Sequence, residues 1–148
     1  MRTPNHQTLD SNVRGSWAEQ FAQTWLVNQG LVAHSKNFSR RGGEIDLVLR
    51  DKSHNCWVFV EVKYRKRNAQ VSGVECITAR KRQRLRRTAS LFLQHKNDST
   101  SEARIDVLII SPAEAVNASM PGYSTDGHRQ QIVNGYHLMW IKNAIDER

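Results

Sequence analysis

The chain has 148 residues, with 22 lysines and arginines against 14 aspartates and glutamates, giving a net charge of +8 and a pI of about 10.0. This length indicates one domain, and 39% hydrophobic residues are enough to bury a core, which argues against wholesale disorder. No apolar run approaches the roughly 18 residues of a membrane span, and the N-terminus carries no apolar export segment. We therefore expect a cytoplasmic protein with no membrane partner.

Cysteines and histidines do not form a recognisable metal or disulfide pattern. Cys56 and Cys76 are too few for a secreted disulfide scaffold, so we expect free thiols. The six histidines have neither HExxH spacing nor a CxxC partner. Any metal ion must therefore be bound by oxygen ligands.

The positive charge is concentrated in one segment, from Lys63 to Arg87, where ten basic residues accompany a single acidic residue, Glu75. A concentrated basic segment binds polyanions by releasing counterions, so nucleic acid is the expected partner. The alternatives are a solvated helix face that aids solubility and a targeting patch. The residues expected to bind nucleic acid are Arg65, Lys66, Arg67, Arg80, Lys81, Arg82, Arg84, Arg86 and Arg87.

The first predicted elements follow a flexible lead-in over residues 1–13. Apolar residues at helical spacing predict a first helix over 16–29, which Gly30 ends. Strand patterns follow over 31–38, 44–49 and 56–64. The short turn-forming link at 51–55 indicates that the last two strands form an antiparallel hairpin.

The second half of the chain begins with a long helix predicted over 74–96, apolar on one face and basic elsewhere. A strand over 103–110 comes next, followed by a polar stretch over 111–135 that we interpret as a mobile loop. A last strand over 136–141 leads into a short helical end. This order predicts one α/β domain over 14–148, with a mixed central β-sheet flanked by helices.

Two acidic residues and a lysine lie in otherwise apolar strands. Side chains alternate along a strand, so Glu61 and Lys63 share one face. If the hairpin is centred on the middle of its turn, Asp46 lies directly opposite Glu61. Opposed residues hold their Cβ atoms about 4.5–5.5 Å apart, so both carboxylates could reach one divalent cation. The alternative is a surface salt bridge to Lys63 or Arg65.

These residues carry a family resemblance. Gly43-Glu44-Ile45-Asp46 and Phe59-Val60-Glu61-Val62-Lys63 resemble the D…ExK signature of the PD-(D/E)XK, restriction-endonuclease-like nucleases. With Gly15-Ser16-Trp17-Ala18-Glu19 upstream and Arg104-Ile105-Asp106-Val107 downstream, the chain more closely resembles the bacterial YraN family, which is similar to archaeal Holliday-junction resolvases. The resemblance covers roughly residues 14–110. Ile45 stands where the superfamily name has proline, which leaves the carboxylate ligand unchanged.

The resemblance implies a restriction-endonuclease-like fold and a metal-dependent endonuclease that hydrolyses DNA, rather than RNA, with branched or junction DNA among its candidate substrates. It assigns Asp46 and Glu61 as ligands of Mg²⁺ or Mn²⁺, and Lys63 as the group that orients or activates the attacking water. The backbone carbonyl of Val62, which lies between Glu61 and Lys63, is a further candidate ligand. A homodimer is expected by analogy with the resolvases. The alternatives are a non-catalytic nucleic-acid-binding module on the same fold and an inert fold with a basic patch.

Three further acidic positions have more than one interpretation. A glutamate on the first helix joins the metal cluster in the resolvase-like branch, which implies that role for Glu19, whereas Ser16 and Glu19 also fit a capping box. Glu44 is expected to be exposed to solvent. The alternative is that its carboxylate lies near the metal ion without binding it directly. Arg104 and Asp106 share a strand face, where we expect a structural ion pair.

Overall fold

The computed structural model describes residues 11–65, 77–113, 122–123 and 128–145. Neither of the helices in these ranges is long and apolar enough to cross a membrane. The elements, in chain order, are α1 (Ser11–Asn28), β1 (Val32–Arg40), β2 (Gly43–Asp51), β3 (Cys56–Tyr64), α2 (Ala79–Lys96), β4 (Glu102–Pro112), β5 (Gly122–Tyr123), β6 (Arg129–Val133) and β7 (Tyr136–Ile141).

The strands form one mixed sheet in the order β1-β2-β3-β4-β7-β6-β5. Among the strand pairs described, β3 and β4 run parallel and the others antiparallel. A parallel pair needs a crossover connection, and α2 lies in the chain between these two strands. The α/β class with a mixed sheet flanked by helices is confirmed, and it is consistent with a restriction-endonuclease-like fold.

Each helix covers a different face of the sheet. On one face α1 buries Trp25 and Leu26 against side chains that include Leu47 and Val60. On the other face α2 packs its own apolar side, and its buried residues Leu85, Thr88, Ala89 and Phe92 recur at helical spacing. Burying a large apolar side chain stabilises the fold by about 1.5–3 kcal/mol. The apolar layer under each helix therefore fixes that helix on its face of the sheet.

Both helices differ from their predicted starts. The first helix begins at Ser11 rather than at residue 16, and it continues through Gly15 without a break. The second begins at Ala79 rather than at residue 74, because the Thr78 side chain accepts a hydrogen bond from the Lys81 N–H at 3.1 Å and caps the helix. The flexible lead-in predicted over 1–13 is wrong at its end, because residues 11–13 belong to α1. Residues 1–10 and 66–76 lie outside the described ranges.

The predicted loop over 111–135 is wrong in part. Ser111 and Pro112 extend β4, and β6 pairs with β7 through a turn in which Asn134 and Gly135 have φ values of 51° and 81°. An Asn-Gly pair suits such a hairpin turn because both positions need positive φ. Residues 114–121 and 124–127 lie outside the described ranges. Residues 142–145 form turns rather than the predicted helical end.

Candidate functional site

The β2–β3 hairpin has the predicted register. Leu47 lies opposite Val60, and the same pairing continues to the turn. Extended by one pair, this register sets Asp46 opposite Glu61, but the ladder ends before them. At that point the Val62 N–H donates a hydrogen bond to Oδ2 of Asp46 at 2.8 Å. The carboxylate of Asp46 is therefore held by the backbone of the strand that carries Glu61.

The β2 strand changes direction at Asp46. Ile45 and Leu47 are two residues apart, yet they belong to the apolar layers on opposite faces of the sheet. On β1, the position beside Asp46 is Asn37, which has a φ of 53°. Regular alternation along a strand would put Ile45 and Leu47 on the same face of the sheet. The alternation of β2 is therefore broken at Asp46, whose side chain reaches Val62 near the end of β3.

Glu61 is the most buried acid of the candidate site, with 3% of its side chain exposed. Its Oε1 atom lies 3.4 Å from Nζ of Lys63 and 3.5 Å from Nζ of Lys81. Its Oε2 atom is buried and has no hydrogen-bond partner. Buried carboxylate oxygens without a partner are rare, and an ion ligand is one explanation for such an atom. The salt bridge to Lys63 that was the alternative interpretation is therefore present, but the acid is buried rather than at the surface and uses one of its two oxygens.

Burial, and after it the negative charge of Glu61, raises the pKa of Asp46 to about 8. The hydrogen bond from Val62 and the charge of Lys81 oppose this shift. Burial and the neighbouring acid therefore both favour the protonated form of Asp46. A cation beside the carboxylate would favour the ionised form.

Glu19 is not a helix cap, because α1 begins five residues before Ser16. Burial raises the pKa of Glu19, and its Asn37 hydrogen bond opposes the shift, while the charges of Glu44 and Glu61 raise it. Glu19 therefore lies within electrostatic range of the acid pair. However, no three His, Cys, Asp or Glu side chains of the described residues lie close enough together to hold a metal ion as they stand.

The predicted nucleic-acid-binding residues divide into two groups. Arg80, Arg84 and Arg87 are exposed on α2. Arg82 and Arg86 are half-buried, and Nε of Arg82 donates to the Ile77 carbonyl at 3.2 Å. Half-buried Lys81 contacts Glu61, and Arg65, at the end of β3, has a buried Nε without a hydrogen-bond partner. Lys66 and Arg67 lie outside the described ranges.

The Arg104–Asp106 pair is structural, as expected. Asp106 is fully buried, and it accepts hydrogen bonds from Nε of Arg104 at 3.1 Å, Nε1 of Trp140 at 2.9 Å and the Asn143 N–H at 2.8 Å. Trp140 belongs to the apolar layer under α1, whereas Glu61 contacts Lys81 of α2 on the other face. The pair therefore fastens β4 to β7 and takes no part in the acid cluster.

The sequence did not predict two contacts of the site. Lys81 was expected to bind nucleic acid, but it neutralises Glu61, which lies twenty positions earlier in the chain. Asn37, which contacts Glu19, was not singled out at all. Neither contact has a local sequence signal, because both depend on how elements pack. Glu44 is exposed, as expected.

Comparisons with known proteins agree on one family. The model of the "Uncharacterised protein family UPF0102" matches residues 18–110, a range that contains Asp46, Glu61 and Lys63. A UPF0102 protein of Photobacterium profundum is 43% identical over 104 residues, covering 69% of this chain and 82% of that protein. A relative from Vibrio cholerae is 33% identical over 141 residues, covering 94% and 97%, and one from Pseudomonas paraeruginosa is 36% identical over 138 residues, covering 93% and 95%. The chain therefore belongs to the UPF0102 family, which is the YraN family that its motifs resemble.

Proposed function

We propose that the protein is a metal-dependent endonuclease that hydrolyses phosphodiester bonds in DNA. The observation that carries this proposal is the buried Oε2 of Glu61, which has no hydrogen-bond partner and lies near a second, half-buried carboxylate. Two neighbouring carboxyl groups at a largely apolar strand end cost stability when both are ionised, and a bound cation offsets that cost. A binding role for the pair accounts for that cost.

Mg²⁺ or Mn²⁺ fits this donor set, because both ions prefer carboxylate and carbonyl oxygens. Asp46 and Glu61 would hold the ion, with Glu19 and the carbonyl of Val62 as further candidate donors. When bound, the ion supplies positive charge to the reacting phosphate and lowers the pKa of a coordinated water. This is the chemistry that phosphodiester hydrolysis needs near neutral pH.

The protein's own groups orient the reactants. The Val62 N–H donates to Oδ2 of Asp46, which leaves Oδ1 to contact a metal ion. Lys63 shares a strand face with Glu61, and its ammonium group can orient the attacking water or donate to the phosphate. The exposed arginines Arg80, Arg84 and Arg87 would hold the nucleic-acid backbone. DNA rather than RNA, branched substrates and a homodimer stay predictions from the resemblance.

A non-catalytic nucleic-acid-binding module is the second candidate. The observation in its favour is that Lys63 and Lys81 already neutralise Glu61 without a metal ion. In this alternative the lysines take the place of the cation permanently, and the site binds without cutting. The two candidates therefore agree on binding and differ on metal-dependent cleavage.

The test is to incubate the purified protein with labelled duplex, single-stranded and four-way-junction DNA, and with RNA of the same sequences, in Mg²⁺, Mn²⁺ or EDTA. The nuclease proposal expects cleavage with metal, none in EDTA, and loss of cleavage in Asp46→Asn and Glu61→Gln. Glu102→Gln is a matched control, because Glu102 is an exposed acid on β4. Binding of nucleic acid without cleavage under every condition would favour the module instead.

A further inference from the structure

A second polar feature lies beside the acid pair. The turn between β1 and β2 packs against the first half of α2 and leaves an open cleft of about 380 Å³ between them. Its wall includes Arg40, Glu44, Lys81 and Arg84, together with the two glycines of the turn. Arg40 lies outside the basic segment of the sequence, so its contribution depends on the fold.

Gly43 is what allows the turn to approach the helix. A Cβ atom on this residue would overlap Oγ1 of Thr88 and lie 3.3 Å from the Arg84 carbonyl oxygen. Gly42 has a φ of 93°, which side-chain-bearing residues rarely adopt. The pair of glycines therefore seats the turn directly on α2 and holds Arg40 and Arg84 on opposite walls of one cleft.

The cleft is suited to an anion. Arg40, Arg84 and Lys81 line it together with the carboxylate of Glu44, and because Lys81 also contacts Glu61, the two arginines are the cations available to a ligand. A fourth cation is close, since Nη1 of Arg87 lies 3.9 Å from the point where a Cβ on Gly42 would stand. Arginines on two elements can grip a phosphate with several charge-assisted hydrogen bonds, which a single exposed side chain cannot do.

The cleft is contiguous with the acid pair through Lys81. This side chain lines the cleft, and its Nζ lies 3.5 Å from Oε1 of Glu61. A nucleic-acid strand whose reacting phosphate lies at Asp46 and Glu61 would therefore pass beside the cleft.

We propose that this cleft is a phosphate-binding subsite for the nucleic-acid backbone, with Arg40 and Arg84 as its contacting residues. The inference rests on the proposed function in one respect, the position of the cleaved strand at Asp46 and Glu61. The charge of the cleft, which suits a phosphate, does not depend on that function. Glu44, the one acidic residue on the wall, weakens the subsite.

The experiment measures binding of fluorescently labelled duplex DNA by anisotropy in EDTA, where no metal-dependent cleavage can occur, over a series of salt concentrations. Arg40→Gln and Arg84→Gln should each weaken binding several-fold and lower the slope of log affinity against log salt by about 0.9. Glu44→Gln should tighten binding. Lys52→Gln is the matched control, because Lys52 is exposed in the turn at the opposite end of β2. Thermal melting checks that each variant is folded.

The inference is overturned if wild type does not bind DNA, if Arg40→Gln and Arg84→Gln bind as Lys52→Gln does, or if Glu44→Gln fails to tighten binding. A parallel cleavage assay with Mn²⁺ separates it from the proposed function. Cleavage by wild type together with unaltered binding by both arginine variants overturns the cleft alone. Cleft-dependent binding without cleavage supports the subsite and overturns the nuclease.

Discussion

The Val62 N–H donates a hydrogen bond to Oδ2 of Asp46 at 2.8 Å, at the point where the β2–β3 ladder ends. This bond ties one acid of the candidate site to the strand that carries the other, Glu61. The charge of Glu61 and burial both raise the pKa of Asp46, so ionising Asp46 beside Glu61 costs stability when no cation is bound. Stability and function should therefore respond in opposite directions to changes at Asp46.

Asp46→Asn should stabilise the metal-free protein at alkaline pH and leave it unchanged near pH 4. The pKa of Asp46 is about 8 in the folded state, against about 3.9 unfolded. Between these values the unfolded chain loses its proton and the folded chain keeps it, so wild-type stability falls as pH rises and levels off above about 8. Asparagine stays neutral at every pH, and its side-chain oxygen can still accept the hydrogen bond from the Val62 N–H.

Calorimetric melting across this pH range checks the prediction. A gain of about 1 kcal/mol would raise Tm by roughly 2–4 °C for a domain of this size. A variant that melts several degrees below wild type at pH 8 would instead identify Asp46 as one partner of a stabilising salt bridge.

Lys81→Met should destabilise the metal-free protein by about 1–2 kcal/mol, because buried Glu61 then keeps Lys63 as its cationic partner and loses the second. Added Mn²⁺ should recover more stability in this variant than in wild type, since the ion supplies the missing charge. Lys52→Met, at an exposed turn, controls for the loss of one positive charge. Equal melting of the two variants, with and without Mn²⁺, would mean that Lys81 does not neutralise Glu61.

Asp106→Asn should cost about 1–3 kcal/mol of stability, because it disturbs the hydrogen bonds to a buried carboxylate and leaves Asp51 as the remaining carboxylate partner of Arg104. Urea unfolding measures this loss. Cleavage per folded molecule should be unchanged, since Asp106 lies on the other face of the sheet from Glu61. A variant of wild-type stability that no longer cleaves would place Asp106 in the site and contradict its structural role.

Gly43→Ala should destabilise the protein by about 1–3 kcal/mol, because the new methyl group overlaps Oγ1 of Thr88. In a Thr88→Ala background the same change should cost less, and a double-mutant cycle by urea unfolding measures the difference. Gly15→Ala is the control, since nothing lies within 4 Å of its added Cβ and the residue is helical. It should be neutral or stabilising. Additive effects of Gly43→Ala and Thr88→Ala would rule out the close approach.

The sequence predicted those parts of the fold that depend on local patterns. The third strand, 56–64, and the last, 136–141, match β3 and β7, because Val and aromatic residues fill β3 and large apolar residues fill β7. The hairpin register from the turn as far as Leu47 and Val60 was predictable from the position of the turn, whereas the ladder ends before the predicted pair of Asp46 and Glu61. The Asn134-Gly135 turn also carries a local signal, which the polar composition around it obscured.

The parts that the sequence could not predict depend on packing between distant elements. Lys81 reaches Glu61 because Thr78 starts α2 at that point and the helix packs over β2, the neighbour of β3. Arg40 joins the cleft because Gly43 can touch α2. Neither relationship has a fixed spacing along the chain, so no periodicity could indicate it.

Titration calorimetry of Mn²⁺ into the metal-free protein at pH 7 tests the central claim, that Asp46 and Glu61 hold a divalent cation, most directly. The account predicts binding of one ion per chain with release of about one proton, because Asp46 must ionise to bind, and comparison of buffers with different ionisation enthalpies measures that proton. Asp46→Asn and Glu61→Gln should abolish binding, and Glu102→Gln should not. Mn²⁺ binding that survives in both variants, or no Mn²⁺ binding by wild type with or without DNA, would contradict the account.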